Sequence, residues 1–551
     1  MRMVGRKLGA GLITALLLSA ALSGCTSKST NPPSTPQGSA PAPSTEAKDV
    51  TFTYLEGQVI TTADPAQHTD ESSMIAVVNM YDPLLYPKDS EGSMEPGPWV
   101  AESWKASDDG KTYTFKIKSG IKFHDGTELT ADDVVYSMER MLAMKKGFSW
   151  LWNGVLLPGK TTAPDKNTVI FQLNLPYAPF LGTMEQLFIV NKKLLTANKA
   201  AGAYGDNGDY GMAYLDGHDA GSGPYTMVSF GRDSELTLKQ FKDFWKGWKP
   251  GQVTNVHYKV VKEEATQKTV LTSGQADMID QWHSTDYYAD LAKQPDISVP
   301  ESPSVQLFHV TMNTQKAPLD DIHFRAAVAY AFDYDTASKS IFGGAAIAQG
   351  PVPNKTLWHN DAIPAMKRDL EKAKAELAQS KYKPGQYKLQ ALVINTNDQE
   401  RKTGLLLQQN LKEIGIDVEL LAQPWAQIVE ATAKLETTPH MVAIFDSLKY
   451  PHPDSHTFGI YQSSAQGSYR AAAWLKDGTL DKALDDARQA IDPAKQADLY
   501  KAVQKQIADQ FPSIYIVNPT HRVAMKKYVK GYRYVGLLGY DVNFYNFTIQ
   551  K

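Results

Sequence analysis

A chain of 551 residues exceeds what one simple core accommodates at roughly 100–200 residues per domain, and a net charge of −3 leaves no basic footprint for nucleic acid. The single cysteine excludes a disulfide framework, and no stretch after residue 48 is long and apolar enough to cross a bilayer. Ten tryptophans and 27 tyrosines are compatible with an aromatic-lined pocket, although core packing claims most such rings.

Arg2, Arg6 and Lys7 precede an apolar run from Leu8 to Ala21, too short to span a membrane and suited to a signal peptide covering residues 1–24. The run ends in Leu22-Ser23-Gly24-Cys25, which resembles the bacterial lipobox. That resemblance implies cleavage before Cys25, acylation of its thiol, palmitate included, and attachment to the outer face of a cell membrane. Residues 25–48 are Ser, Thr, Pro and Ala with almost no large apolar side chain, so they cannot bury enough surface to order themselves and read as a tether.

Lys111 to Lys118 alternates, with Tyr113, Phe115 and Ile117 on one side, which predicts a half-buried strand. Ile121 and Phe123 predict a second short strand, and His124-Asp125-Gly126 a turn. Thr130 with Asp133 three residues on predicts a capped helix whose apolar face carries Val134, Val135, Met138, Met141 and Leu142. Asp492 and Pro493 open a later helix with Tyr500, Val503 and Ile507 as its stripe. Strands and helices mix throughout without a visible repeat, which predicts an α/β architecture of at least two lobes.

Several blocks then carry a resemblance. They are Ala101-Glu102-Ser103-Trp104, Gly110 to Phe115, Phe123-His124-Asp125-Gly126 and Leu129 to Val134. Gly221-Ser222-Gly223-Pro224-Tyr225, Phe244-Trp245, Ser273 to Asp277, Pro318 to Asp321, Arg325-Ala326-Ala327 and Ala329 to Asp333 follow in order, then Tyr450 to Asp454 and Asp492-Pro493. Together they resemble the family 5 extracellular solute-binding proteins, the oligopeptide, dipeptide and nickel binders of ABC importers. The resemblance implies a periplasmic-binding-protein-like fold of type II with two lobes, the first subdivided, and a hinge of two crossings. It places lobe I at 49–305, with an extra subdomain near 81–204, lobe II at 306–514, and a return to lobe I at 515–551. The crossings are expected near Val305 to Val310 and Pro512 to Val517. The implied function is capture of a short peptide and delivery to permease subunits, by a monomer lacking catalysis and cofactor, lipid-anchored on a Gram-positive type of cell surface.

In oligopeptide binders of this family an aspartate before a tyrosine pairs with the ligand's ammonium. Here Lys449 precedes Tyr450, and Asp446 stands where a tryptophan is usual. A buried lysine would repel an ammonium, so either Asp446 reaches the amine or the ligand is not a simple free-amine peptide. Asp446 and Lys449 are accordingly candidate polar contacts, with Phe445, Tyr450 and Trp425 as walls. Tyr54 to Gln58 resembles the strand-end loop that contacts peptides, which nominates Glu56 and Gln58; Trp150, Trp152, Trp282 and Trp358 are further wall candidates.

Three other readings compete. His452 and His456 with Asp454 could bind a transition metal, but Pro451 and Pro453 argue against a regular helix through His452. Ser119-Gly120-Ile121-Lys122 and Lys402-Thr403-Gly404 echo serine hydrolases of the penicillin-binding type, yet Ser119 falls between two strands rather than at a helix start. The same fold could instead carry an oligosaccharide, an opine or a nickel complex.

Overall fold

The alternating stretch around Tyr113 forms the strand Thr112–Ile117, with Tyr113, Phe115 and Ile117 buried and Lys116 exposed. The structure, a computed structural model, describes residues 49–88 and 94–551; the apolar leader, Cys25 and the tether lie outside the described residues. Thr112–Ile117 pairs antiparallel with Ala101–Ala106 and Thr168–Leu173, and Leu156–Asp165 completes a four-stranded sheet. The helix Ala131–Met144 packs on this sheet. Its start is fixed as the sequence predicts: the Asp133 carboxylate accepts from the backbone N–H and the hydroxyl of Thr130, both at 2.9 Å. Val134, Met138, Met141 and Leu142 are buried and Val135 half-buried. Each such side chain removed from water contributes roughly 1.5–3 kcal/mol. The strand expected at Ile121 and Phe123 does not form: Lys122 and Glu128 make an isolated bridge. Gly126, at φ +84°, turns the chain back too soon for a ladder to grow.

A seven-stranded sheet organises the first lobe, in the order Ile297–Ser298, Ala524–Lys526, Met278–Ile279, Thr51–Glu56, Asn255–Val260, Glu235–Gln240, Tyr225–Gly231. Thr51–Glu56 runs parallel to Asn255–Val260 and Met278–Ile279, and all but its first residue are buried, as befits a strand covered on both faces. Gly223, in the loop before this sheet's edge strand, lies so close to the helix Glu71–Met80 that a Cβ would stand 2.6 Å from the Met80 carbonyl carbon.

The second lobe is built on six strands, ordered Ala346–Ile347, Ser513–Asn518, Leu307–Met312, Met441–Asp446, Lys388–Ile394, Asp417–Gln423. Lys388–Ile394 is parallel to both of its neighbours, and Leu307–Met312 antiparallel to both of its own. The helix Pro493–Ala508 starts as composition dictates, with the Asp492 side chain accepting from Lys495 N–H at 2.8 Å and Tyr500, Val503 and Ile507 buried.

Between the two sheets the chain crosses twice, and the crossing segments Glu301–Pro303 and Thr520–Arg522 pair antiparallel. The stretches expected to cross lie mostly within Leu307–Met312 and Ser513–Asn518, inside the second sheet. Both strands are buried at every position, which marks core strands rather than connections. The second sheet therefore keeps the chain to Asn518, three residues past the expected return at 515. Leu537, Tyr540, Phe544 and Phe547 then complete the first lobe's core. Among the described residues no helix is long and apolar enough to cross a membrane.

Candidate ligand cleft

Parallel strands of both sheets end at one cavity. Gln58 follows Thr51–Glu56, and Trp282 follows Met278–Ile279; on the other lobe Ile394 and Asn397 end Lys388–Ile394, Trp425 follows Asp417–Gln423, and Ser447 and Lys449 follow Met441–Asp446. Carboxyl ends of parallel strands are where open α/β sheets bind ligands, because backbone groups and helix starts converge there. The space between the walls, counted out to open solvent, is about 650 Å³, of which about 80 Å³ admits water-sized molecules. Three helices begin at it: Glu71–Met80 capped by Asp70, Asp398–Lys412 capped by Asn397, and Trp425–Thr432.

Contacts between the lobes at the cleft walls include two hydrogen bonds and one aromatic pair. Gln58 Nε2 donates to Thr396 Oγ1 at 3.0 Å, the Tyr469 hydroxyl donates to the Thr69 carbonyl at 3.4 Å, and Trp282 meets Phe445 edge to face at 5.5 Å. Trp425 packs on Tyr469 at 4.7 Å, so the second-lobe wall is largely aromatic.

The polar groups divide into those already paired and those left open. Arg470 holds both oxygens of Asp446, at 2.9 and 2.6 Å. Burial works to raise the Asp446 carboxyl, but the charges of Arg470, His456 and Lys449 outweigh it and hold it well below the carboxylate range. Lys449 Nζ stands 3.7 Å from Asp446 Oδ1, beyond hydrogen-bond reach, and burial brings its ammonium down to about 8 against the pull of Asp446. Glu400 accepts from Ile394 N–H through Oε2 at 2.8 Å and leaves Oε1 without a partner. Burial pushes its carboxyl up to about 8. Glu71 accepts from Gln281 and is raised by burial and then by the charge of Asp541.

Of the residues the sequence nominated, the cavity gathers Gln58, Trp282, Trp425, Phe445 and Lys449. Asp446 does not line it, because Arg470 claims its carboxylate behind the wall. Glu56 is buried beneath the loop, where its carboxylate accepts from Gln58 N–H at 3.0 Å. Tyr450 turns into the first lobe's core and donates to Asp454 at 2.7 Å. Trp152 donates to Thr183 at 3.0 Å in the same core, Trp150 lies under the Arg470 guanidinium at 5.4 Å, and Trp358 stacks on Tyr500 at 6.2 Å. His452 sits before the helix Asp454–Tyr461 and packs on Trp358, whereas His456 faces the Asp446 carbonyl, so the pair does not converge. Ser119 is in a turn and Lys402-Thr403-Gly404 lies inside the helix Asp398–Lys412, far from the arrangement a hydrolase needs.

Sequence reasoning missed Asp70, Glu71, Asn397, Glu400 and Ser447. A signal existed for two of them: Asn397 followed three residues later by Glu400 has the capping pattern, directly after an apolar strand.

The profile of "Bacterial extracellular solute-binding proteins, family 5 Middle" matches residues 95–469. The chain belongs to that family. The probable D,D-dipeptide-binding periplasmic protein of Escherichia coli K12 is 30% identical over 479 residues, covering 86% of this chain and 89% of the relative. Among solved structures, the ABC transporter-associated periplasmic binding protein DppA of Helicobacter pylori in complex with the peptide STSA superposes with a TM-score of 0.81 at 24% identity, covering 91% of this chain and 98% of that one. The binding protein AgaA of A. tumefaciens R10, solved with agropinic acid, gives 0.79 at 25% identity, covering 91% and 99%. Family membership accounts for the two-lobed architecture.

Proposed function

We propose that the chain is the substrate-binding component of an ABC importer and captures a short peptide by closure of its lobes on the cleft. The observation that carries this reading is the cavity itself: its walls come from both lobes, and Gln58 bridges to Thr396 across it. A solute touching both walls favours the closed state by its differential affinity for that state, and the importer then reads the closed shape. The peptide-bound relative and the dipeptide-binding name of another support a peptide as ligand. Mass spectrometry of solute carried through mild purification tests it: a short peptide released on denaturation is expected, and release of sugars or a metal complex alone overturns it.

The same proposal includes residues 1–24 as an export signal and Cys25 as the acylated anchor, holding the body on the outer face of the membrane through the 25–48 tether. Cys25→Ser is expected to move the protein from the membrane fraction to the medium; retention in the membrane fraction removes the anchor. A non-peptide solute is the second reading, favoured by Lys449 at the position where an ammonium-binding acid is usual and by the opine-bound structural neighbour.

A further inference from the structure

The charged residues lining the cavity are Asp70, Glu71, Glu400 and Lys449, so Lys449 is the one cation among the described lining residues. Its backbone is pinned from both lobes: its N–H donates to Ser455 Oγ at 3.0 Å, and its carbonyl accepts from Gln186 Nε2 at 2.6 Å. The side chain is 2% exposed, and the nearest carboxylate oxygen, Asp446 Oδ1, is already taken by Arg470. Asp446 and Arg470 cancel each other's charge, and the other carboxyls that act on the Lys449 ammonium, Glu71 and Asp70, do so without forming an ion pair with it. The helices Asp398–Lys412 and Trp425–Thr432 also begin at this cavity, and helix starts favour negative charge. On the same wall Glu400, fully buried, keeps Oε1 without a partner, an expensive omission unless a ligand group supplies one.

Resting on the reading of this cleft as the solute site, we propose that the solute is anchored by a carboxylate at Lys449 and by a hydrogen bond to Glu400 Oε1. A peptide bound here lies with its carboxyl end, not its ammonium, against Lys449. The polarity is opposite to that implied by the aspartate of oligopeptide binders. An ammonium at Lys449, whose side chain is itself buried, would face a like charge where repulsion exceeds its value in solvent several-fold. Burial pushes the Glu400 carboxyl up to about 8 and raises those of Glu71 and Asp70, which lessens the negative charge of the cavity near neutral pH, while Lys449, at about 8, keeps its proton there.

Calorimetric titration of the purified full-length chain tests this with four probes: the dipeptide Ala-Phe, its C-terminal amide, its N-acetyl form, and an N-carboxyalkyl amino acid. Amidation is expected to weaken binding on the order of tenfold or more, whereas acetylation, which leaves the carboxylate in place, costs only a few-fold. Lys449→Met is expected to erase the difference between acid and amide, and Lys449→Arg to keep it; thermal melts of both variants separate folding from binding. A tenfold loss on acetylation with none on amidation overturns the proposal, as does an acid–amide difference that survives in Lys449→Met. If the peptides fail but the N-carboxyalkyl amino acid binds with the same dependence on Lys449, the peptide reading falls and the carboxylate anchor stands. If no carboxylate-bearing probe binds, both fall.

Discussion

Arg470 grips both carboxylate oxygens of Asp446 across 24 residues of sequence, and Asp446 is 1% exposed. Removing one partner of such a pair strands a buried charge, which costs about 3–5 kcal/mol. Asp446→Ala is therefore expected to lower unfolding free energy by about that amount in urea titration, with Asp446→Asn close behind. Because the folded carboxyl is held below its unfolded value, the pair's stabilisation is present above about pH 4 and is lost as pH falls further.

Glu400 gives the opposite sign. Its folded carboxyl titrates near 8 against about 4.3 in an unfolded chain, so the native state holds a proton that the unfolded state has released. Stability is expected to fall as pH rises from about 4.5 to 8, by at most on the order of 4 kcal/mol from this group. Urea unfolding at pH 5 and pH 8 should show a smaller difference in Glu400→Gln than in the parent.

Binding of a carboxylate-bearing probe is expected to weaken above about pH 8, where Lys449 loses its proton and Glu400 gives up its own. Asp446 and Arg470 keep their charges through that range, and Glu71 and Asp70, both raised by burial, add only negative charge on ionising. Calorimetry at pH 7 and pH 9 checks it, and Lys449→Arg should reduce the fall.

Gln58→Ala removes the hydrogen bond to Thr396 that joins the lobes. An exposed neutral bond contributes about 0.5–1 kcal/mol, so affinity for a captured solute is expected to drop roughly 2–5-fold with little change in melting temperature. An unchanged affinity would show that the bridge adds nothing to closure.

Gly459 lies against the Asp446–Arg470 pair: a Cβ there would stand 2.6 Å from Arg470 Nη1 and 2.8 Å from the Trp150 ring. Gly459→Ala is expected to cost about 1–3 kcal/mol through overpacking, measurable as a lowered urea midpoint.

What the sequence determined by itself was whatever neighbouring residues decide. Thr130 and Asp133, Asp492 and Pro493, and the alternation through Tyr113, Phe115 and Ile117 set helix starts and a strand because caps and side-chain periods act within a few residues. The ordered motif blocks likewise sufficed for the family and its two-lobed fold. The tertiary structure alone decided which charges are spent. Asp446 looked available until Arg470, from a separate turn, took it, while Glu71 and Glu400 became cavity groups only when strands of two different sheets ended at the same place. The crossings fall at Glu301–Pro303 and Thr520–Arg522, outside the neighbouring core strands, for the same reason: a buried strand and a hinge strand read alike in composition, and only pairing partners distinguish them. Electrostatic partnership depends on distance in space, and hydrogen-bonded pairing on register, neither of which a local window contains.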